Sequence, residues 1–213
     1  ADTAPGKGEL VFEQKDVAPA GRKRGRLRVI GLGPGDPDFM IPAVRQALQQ
    51  AEDILGYETY VRMAGMFRAD QTIHMTDNRE EMQRARHAFD LAAAGRSVVM
   101  ISSGDPGVFA MASAVIEALH ESDDPAWHNV ELEILPGVSA ALAAASKSGA
   151  PLGHDFCIIS LSDNLKPWDV ITRRLRLAAE AGLVIALYNP ISKARPWQLG
   201  EAFEVLRQVL PAR

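Results

Sequence analysis

Two Gly-Asp-Pro tripeptides, at Gly35-Asp36-Pro37 and Gly104-Asp105-Pro106, each follow a short apolar run and precede a helix-like pattern. Glycine lets a backbone take unusual angles and admits another group at close range. Proline stiffens the chain beside it. Aspartate adds a carboxylate that caps a helix or accepts a proton. In "GLGPGDPD" the glycines are Gly31, Gly33 and Gly35, with Pro34 between the last two. A dinucleotide fingerprint needs glycine where this chain has Asp36, and no Gly-Lys-Ser/Thr follows to make a P-loop. A rigid loop with few side chains, at the carboxyl end of a strand, still sits where open α/β sheets bind ligands.

In "SSGDPGVF" Asp105 stands before a proline suited to the first helical position, so it is expected to be a helix N-cap. With its carboxylate on backbone amides, Asp105 is a loop organiser rather than a proton-transfer group, and Asn should replace it with little loss. Ser103-Gly104 and Gly107 bare the backbone on both sides of that cap for the polar edge of a small molecule. "ILPGVSAALAAASKSG" opens a helix of very small residues at Ser139, which either packs closely or leaves room for a flat ligand. "LVIALYNPIS" ends a strand in Tyr188-Asn189-Pro190, a fourth loop of this kind. His74, His87, His120 and His128 lack partners at metal-ligand spacing, and no metal site is expected. His154-Asp155 falls where a cleft between two halves could be lined.

The elements that must position these loops alternate. Strands are expected at 27–32, 53–55, 71–75, 97–101 and 130–135, then at 156–161 and 183–188. Helices are expected at 41–51, 79–94, 107–120 and 138–147, then at 167–181 and 196–210, with Gly95 and Gly182 closing two of them. This rhythm means α/β architecture: two α/β domains with mostly parallel sheets and an active site in the cleft between them. The loop "SGAPLGHD" at 148–155 has no periodicity and divides a domain at 26–150 from one at 151–213. Two clear strands make a small second sheet, so the second domain is expected to be incomplete at its C-terminus.

Residues 1–25, rich in Pro, Gly and charge and without the apolar core of a secretory signal, are expected to be a mobile extension. Arg22, Lys23, Arg24, Arg26 and Arg28 form either a solvated linker or a contact for an anion. The net charge is −4, which gives no field for nucleic acid. A single cysteine, Cys157, gives no disulfide framework, and no apolar run approaches a membrane span. A cytoplasmic enzyme fits these bounds.

Taken together, "GLGPGDPDFMIPAVRQALQQAEDILGYETY", "ISSGDPGVFAMASAVIEAL", "ILPGVSAALAAASKSGAPLGHDF" and "ALYNPIS" resemble the tetrapyrrole methylases, over residues 26–210. "GHDFCIISLSD", "PWDVI" and "LYNP" are similar to the branch that methylates precorrin-3B at carbon 17 in cobalamin biosynthesis, with coupled ring contraction. The resemblance implies S-adenosylmethionine as methyl donor, S-adenosylhomocysteine as product, a tetrapyrrole substrate and a homodimer. It implies cofactor contacts at Pro34, Ser103, Gly104, Asp105, Val108, Ser139, Ala140 and Asn189, although relatives often carry Met where this chain has Asn189. It places the first Gly-Asp-Pro loop, with Gly33 and Gly35, against the tetrapyrrole. Ring contraction needs a base, for which Asp36, His154 and Asp155 are candidates alongside Asp105. The substrate's carboxylates call for cations, and Lys166, Arg173 and Arg195 are candidates. The alternatives are the cobalt-containing substrate of the anaerobic pathway, a non-catalytic tetrapyrrole carrier, and a nucleotide-dependent oxidoreductase, which the absent third glycine disfavours.

Overall fold

The structure is a computed structural model, and it describes residues 24–77 and 80–210. The first sheet has five parallel strands in the order β3-β2-β4-β1-β5. They are β1 (Arg26–Gly31), β2 (Asp53–Tyr57), β3 (Thr72–Thr76), β4 (Ser97–Ser102) and β5 (Glu131–Leu135). A second sheet pairs β6 (Phe156–Ser160) with β7 (Val184–Tyr188), also in parallel. Parallel neighbours need crossover connections, which is why strands and helices alternate along the chain.

Side chains alternate across β4 and bury both faces of the sheet. Val98 and Met100 join Leu27, Val29 and Leu55 beneath α3 (Glu81–Ala93) and α4 (Met111–His120). Val99 and Ile101 join Ile30 and Ile54 beneath α1 (Pro42–Gln50) and α2 (Glu58–Ala64). The helix after β1 and the helix after its neighbour β4 therefore lie on opposite faces. A crevice must open between the carboxyl ends of these two strands. Around the second sheet, Ile159 and Leu161 pack against Ile171 and Leu175 of α7 (Trp168–Glu180) and Ala202 of α8 (Gln198–Arg207). The remaining helices are the short α5 (Pro125–His128) and the Ala-rich α6 (Ala140–Lys147).

Several expectations change. The helix expected from Gly107 begins at Met111, because residues 107–110 continue the loop and Phe109 takes φ +52°. Asp105 is therefore not the N-cap of that helix. Helices α2 and α5 carry too short an apolar pattern to be read from periodicity. The expected start of α3 at Arg79 lies outside the described residues, as do Arg22 and Lys23. Gly95 and Gly182 do close helices, with φ +91° and +72°. Arg26 and Arg28 neither float in a linker nor await an anion. They pair with Glu131 and Glu133 across β1 and β5, at 2.8 and 2.9 Å. Between α6 and β6, residues 148–155 are turn and bend.

Candidate active site

The loops after β1, β4 and β5 meet backbone to backbone at the carboxyl edge of the first sheet. Gly33 and Gly104 form an isolated antiparallel bridge: Gly104 N donates to Gly33 O at 2.8 Å, and Gly33 N to Gly104 O at 3.1 Å. The two Gly-Asp-Pro loops are thus hydrogen-bonded to each other. Their closeness excludes side chains. A Cβ on Gly137 would lie 2.1 Å from the Gly104 carbonyl oxygen and 2.8 Å from that of Gly31. A Cβ on Gly31 would lie 2.3 Å from the same Gly104 oxygen. Gly104, at φ +58°, is glycine for its conformation, since its own Cβ would meet nothing nearer than Ala140 N at 4.0 Å.

Asp105 staples this junction with both carboxylate oxygens. Oδ1 accepts from Gly107 N at 2.8 Å within its own loop, and Oδ2 accepts from Gly137 N at 3.0 Å in the loop after β5. It organises the loops, as its type and spacing suggest, but by joining two of them rather than by capping a helix. Asp36, in the exposed first loop beside Pro34 and Gly35, uses Oδ1 to accept from Asp38 N at 3.0 Å and so caps the 3-10 turn Pro37–Phe39. The terminal methyl of Met63, on α2, lies 3.2 Å from where a Cβ of Gly35 would be.

The second half of the chain reaches this junction through Tyr188, which ends β7. Its hydroxyl accepts from Ala141 N at 2.9 Å and shares a short hydrogen bond with Ser139 Oγ. Its ring centroid lies 5.6 Å from that of Phe109. Ser139 is buried and precedes α6 without capping it by its own side chain. Asn189 follows at φ +50°, a conformation that Asn tolerates better than most residues, and its side-chain amide donates to Ser160 Oγ at 3.0 Å. Two of the three non-glycine residues with positive φ among those described, Phe109 and Asn189, therefore flank Tyr188 or contact it. Such strain gathers where a site over-determines its backbone.

Gly33, Gly104, Asp105, Ser139 and Ala140 are thus brought together, with Pro34, Gly35 and Asp36 continuing the first loop, Ser103 and Val108 flanking the second, and Asn189 beside Tyr188. Other candidates lie elsewhere. His154 and Asp155 are exposed at the amino end of β6, about 16 Å along that strand from its carboxyl end. Arg173 is exposed on α7. Lys166 and Arg195 follow the carboxyl ends of β6 and β7. Lys166 Nζ donates to Ser162 O at 3.3 Å, and burial, aided by Arg174, pulls its ammonium below the usual lysine value. Arg195 Nε is paired with Asp163 Oδ1 at 2.6 Å. Tyr188 is the participant that spacing did not single out as a site residue, since nothing in the sequence links residue 188 to residue 139. No group of His, Cys, Asp or Glu among the described residues could hold a metal ion. No helix among them is long and apolar enough to cross a membrane.

Residues 26–213 match the family described as Tetrapyrrole (Corrin/Porphyrin) Methylases. The chain is 62% identical to the precorrin-3B C(17)-methyltransferase of a Sinorhizobium species, over 88% of this chain and 73% of that protein. It is 45% identical to the cobalt-factor III methyltransferase of Priestia megaterium, over 86% of this chain but only 34% of that longer protein. The crystal structure of the methyltransferase CobJ superposes with a TM-score of 0.83 at 52% identity, covering 88% of this chain and 77% of CobJ.

Proposed function

The chain belongs to the tetrapyrrole methylase family, and we propose that it is a precorrin-3B C17-methyltransferase of cobalamin biosynthesis. The observation that carries this reading is the 62% identity with a relative of that name along most of both chains. The donor is S-adenosylmethionine, which supplies an electrophilic sulfonium methyl when bound. The loops offer what such a ligand needs. Gly104 leaves open space next to Ala140 N at the amino end of α6, since a Cβ there would meet nothing nearer than 4.0 Å. Ser103, Gly104, Asp105, Val108, Ser139, Ala140 and Asn189 would hold the donor, with Pro34 at its reactive end.

The nucleophile is an electron-rich carbon of the substrate, so the protein's task is to align two groups and exclude water. Glycine loops locked by mutual hydrogen bonds do this without a catalytic triad. Gly33 and Gly35 would face the macrocycle. Lys166 and Arg195, on the carboxyl side of the second sheet, would meet its carboxylates, with Arg195 already paired to Asp163. The coupled ring contraction to precorrin-4 requires loss of a hydroxyl proton. Oδ2 of Asp36, with no hydrogen bond among the described residues, would take it, whereas His154 and Asp155 stand too far along β6. Domains at 26–150 and 151–213, a homodimer and a cytoplasmic location complete the reading. The domain division is supported by the two sheets and the irregular segment between them, the homodimer by family resemblance, and the location by the single cysteine, Cys157.

The test is calorimetry with S-adenosylhomocysteine, followed by turnover with metal-free and cobalt-loaded substrate. Binding plus turnover of the metal-free tetrapyrrole is expected. Turnover of the cobalt form alone would move the assignment to the reading that the 45% relative favours. Tetrapyrrole binding without any S-adenosylhomocysteine binding would mark a carrier instead.

A further inference from the structure

Between described residues, the hydrogen bonds that join the first sheet's half of the chain to the second all end on one oxygen, the Tyr188 hydroxyl. Three further facts make this oxygen unusual. Ser139 is the residue type that caps its own helix, yet it leaves α6 uncapped and turns its Oγ to Tyr188. The N–H that Ser139 would serve, that of Ala141, is taken by the tyrosine from the other half. The tyrosine ring lies against Phe109, whose backbone holds φ +52° in the loop that follows Asp105.

We propose that Tyr188 is a positioning residue: its hydroxyl latches the carboxyl end of β7 onto the start of α6 while its ring rests on Phe109, and so it sets the cleft in which methyl donor and tetrapyrrole are aligned. The proposal rests on the cofactor-site reading given above. A phenolic hydroxyl has one proton and two lone pairs, enough to accept from Ala141 and bond to Ser139 together. It spends both on groups at the start of α6. One of these partners, Ser139, is among the residues assigned to the donor, and the other, Ala141, adjoins the assigned Ala140. Tyr188 thus acts through them, without itself needing to touch a reacting atom.

The borrowed cap gives a distinctive test. In Tyr188→Phe the ring contact persists and the hydroxyl is lost. Ser139 can then turn back and cap its own helix, so the melting temperature should stay near that of the parent chain. In Ser139→Ala the tyrosine still serves Ala141, and again the melting temperature should hold. In the double variant nothing caps α6, and the loss should exceed the sum of the two single shifts. Calorimetry should show S-adenosylhomocysteine bound about 3- to 10-fold more weakly by Tyr188→Phe, the loss of one hydrogen bond's worth of alignment. In turnover the variant should raise KM for the methyl donor while KM for the tetrapyrrole holds. Parent-like affinity in Tyr188→Phe, or melting shifts that simply add, would overturn the latch. If the parent chain itself fails to bind S-adenosylhomocysteine, the site reading falls instead, and additivity of the melting shifts still decides whether the hydroxyl latches the halves.

Discussion

Replacing Asp105 by Asn separates two roles for this residue. As an N-cap, Asp105 would tolerate Asn almost without cost, since one side-chain oxygen is enough. In the structure both oxygens accept, from Gly107 N at 2.8 Å and from Gly137 N at 3.0 Å. Asn has one oxygen and one NH2. Whichever way the amide is turned, its NH2 faces a backbone N–H at hydrogen-bonding distance. One charge-assisted bond is lost and a donor meets a donor. Hydrogen bonds to a charged group contribute about 1.5–3 kcal/mol. For a chain of this size each kcal/mol moves the melting temperature by about 2–4 °C. Asp105→Asn should therefore melt about 3–12 °C below the parent, read by calorimetric or circular-dichroism melts at neutral pH. It should also weaken S-adenosylhomocysteine binding, because the loop of Gly104 is no longer tied to that of Gly137. Asp105→Leu, which loses both bonds, should melt lower still. If Asp105→Asn melts within about 1 °C of the parent, the two-loop staple is wrong and a simple cap is sufficient.

Gly137→Ala should be strongly destabilising, by about 3 kcal/mol, because the added methyl meets the Gly104 carbonyl oxygen at 2.1 Å and must push the loops apart; thermal melts and cofactor titration should both register it. Gly104→Ala and Gly182→Ala both force a side chain to positive φ without a clash and should each cost about 1–2 kcal/mol. Only Gly104→Ala should lower S-adenosylhomocysteine affinity, and an equal loss in Gly182→Ala would detach the site from the second Gly-Asp-Pro loop. Burial opposes ionisation of Asp53, but hydrogen bonds from Arg96 and His74 outweigh it and hold the carboxyl below its ordinary value of 3.8. A carboxyl depressed in the folded state stabilises above its unfolded pKa, and that contribution fades as pH falls through the folded value. Acid titration monitored by circular dichroism should thus show stability falling as pH drops below about 4, with a shallower acid limb in Asp53→Asn; identical slopes would refute the assignment.

Much of this protein is determined by the order of its residues. Apolar runs of strand length between helical periods dictate parallel sheets, because neighbouring parallel strands cannot be joined without a crossover. Glycines and prolines fix where those strands end, so the loops of Gly33, Gly104, Gly137 and Asn189 stand out before any coordinates. Local chemistry also names Asp105 as a loop organiser. Its second partner is beyond the reach of local chemistry. Gly137 is distant in sequence, and only the β4-β1-β5 strand order brings the two loops within 3.0 Å. The cap on α6 follows the same rule. Serine is a residue type that caps helix starts, yet at Ser139 the fold serves the Ala141 N–H with a hydroxyl from residue 188 instead. His154 and Asp155 show the converse: they sit where the chain passes between its halves, yet strand direction carries them to the amino end of β6, away from the loops. Strand pairing and direction are sums over the whole chain, so they decide which loops meet. The residues within each loop decide only what happens once they do.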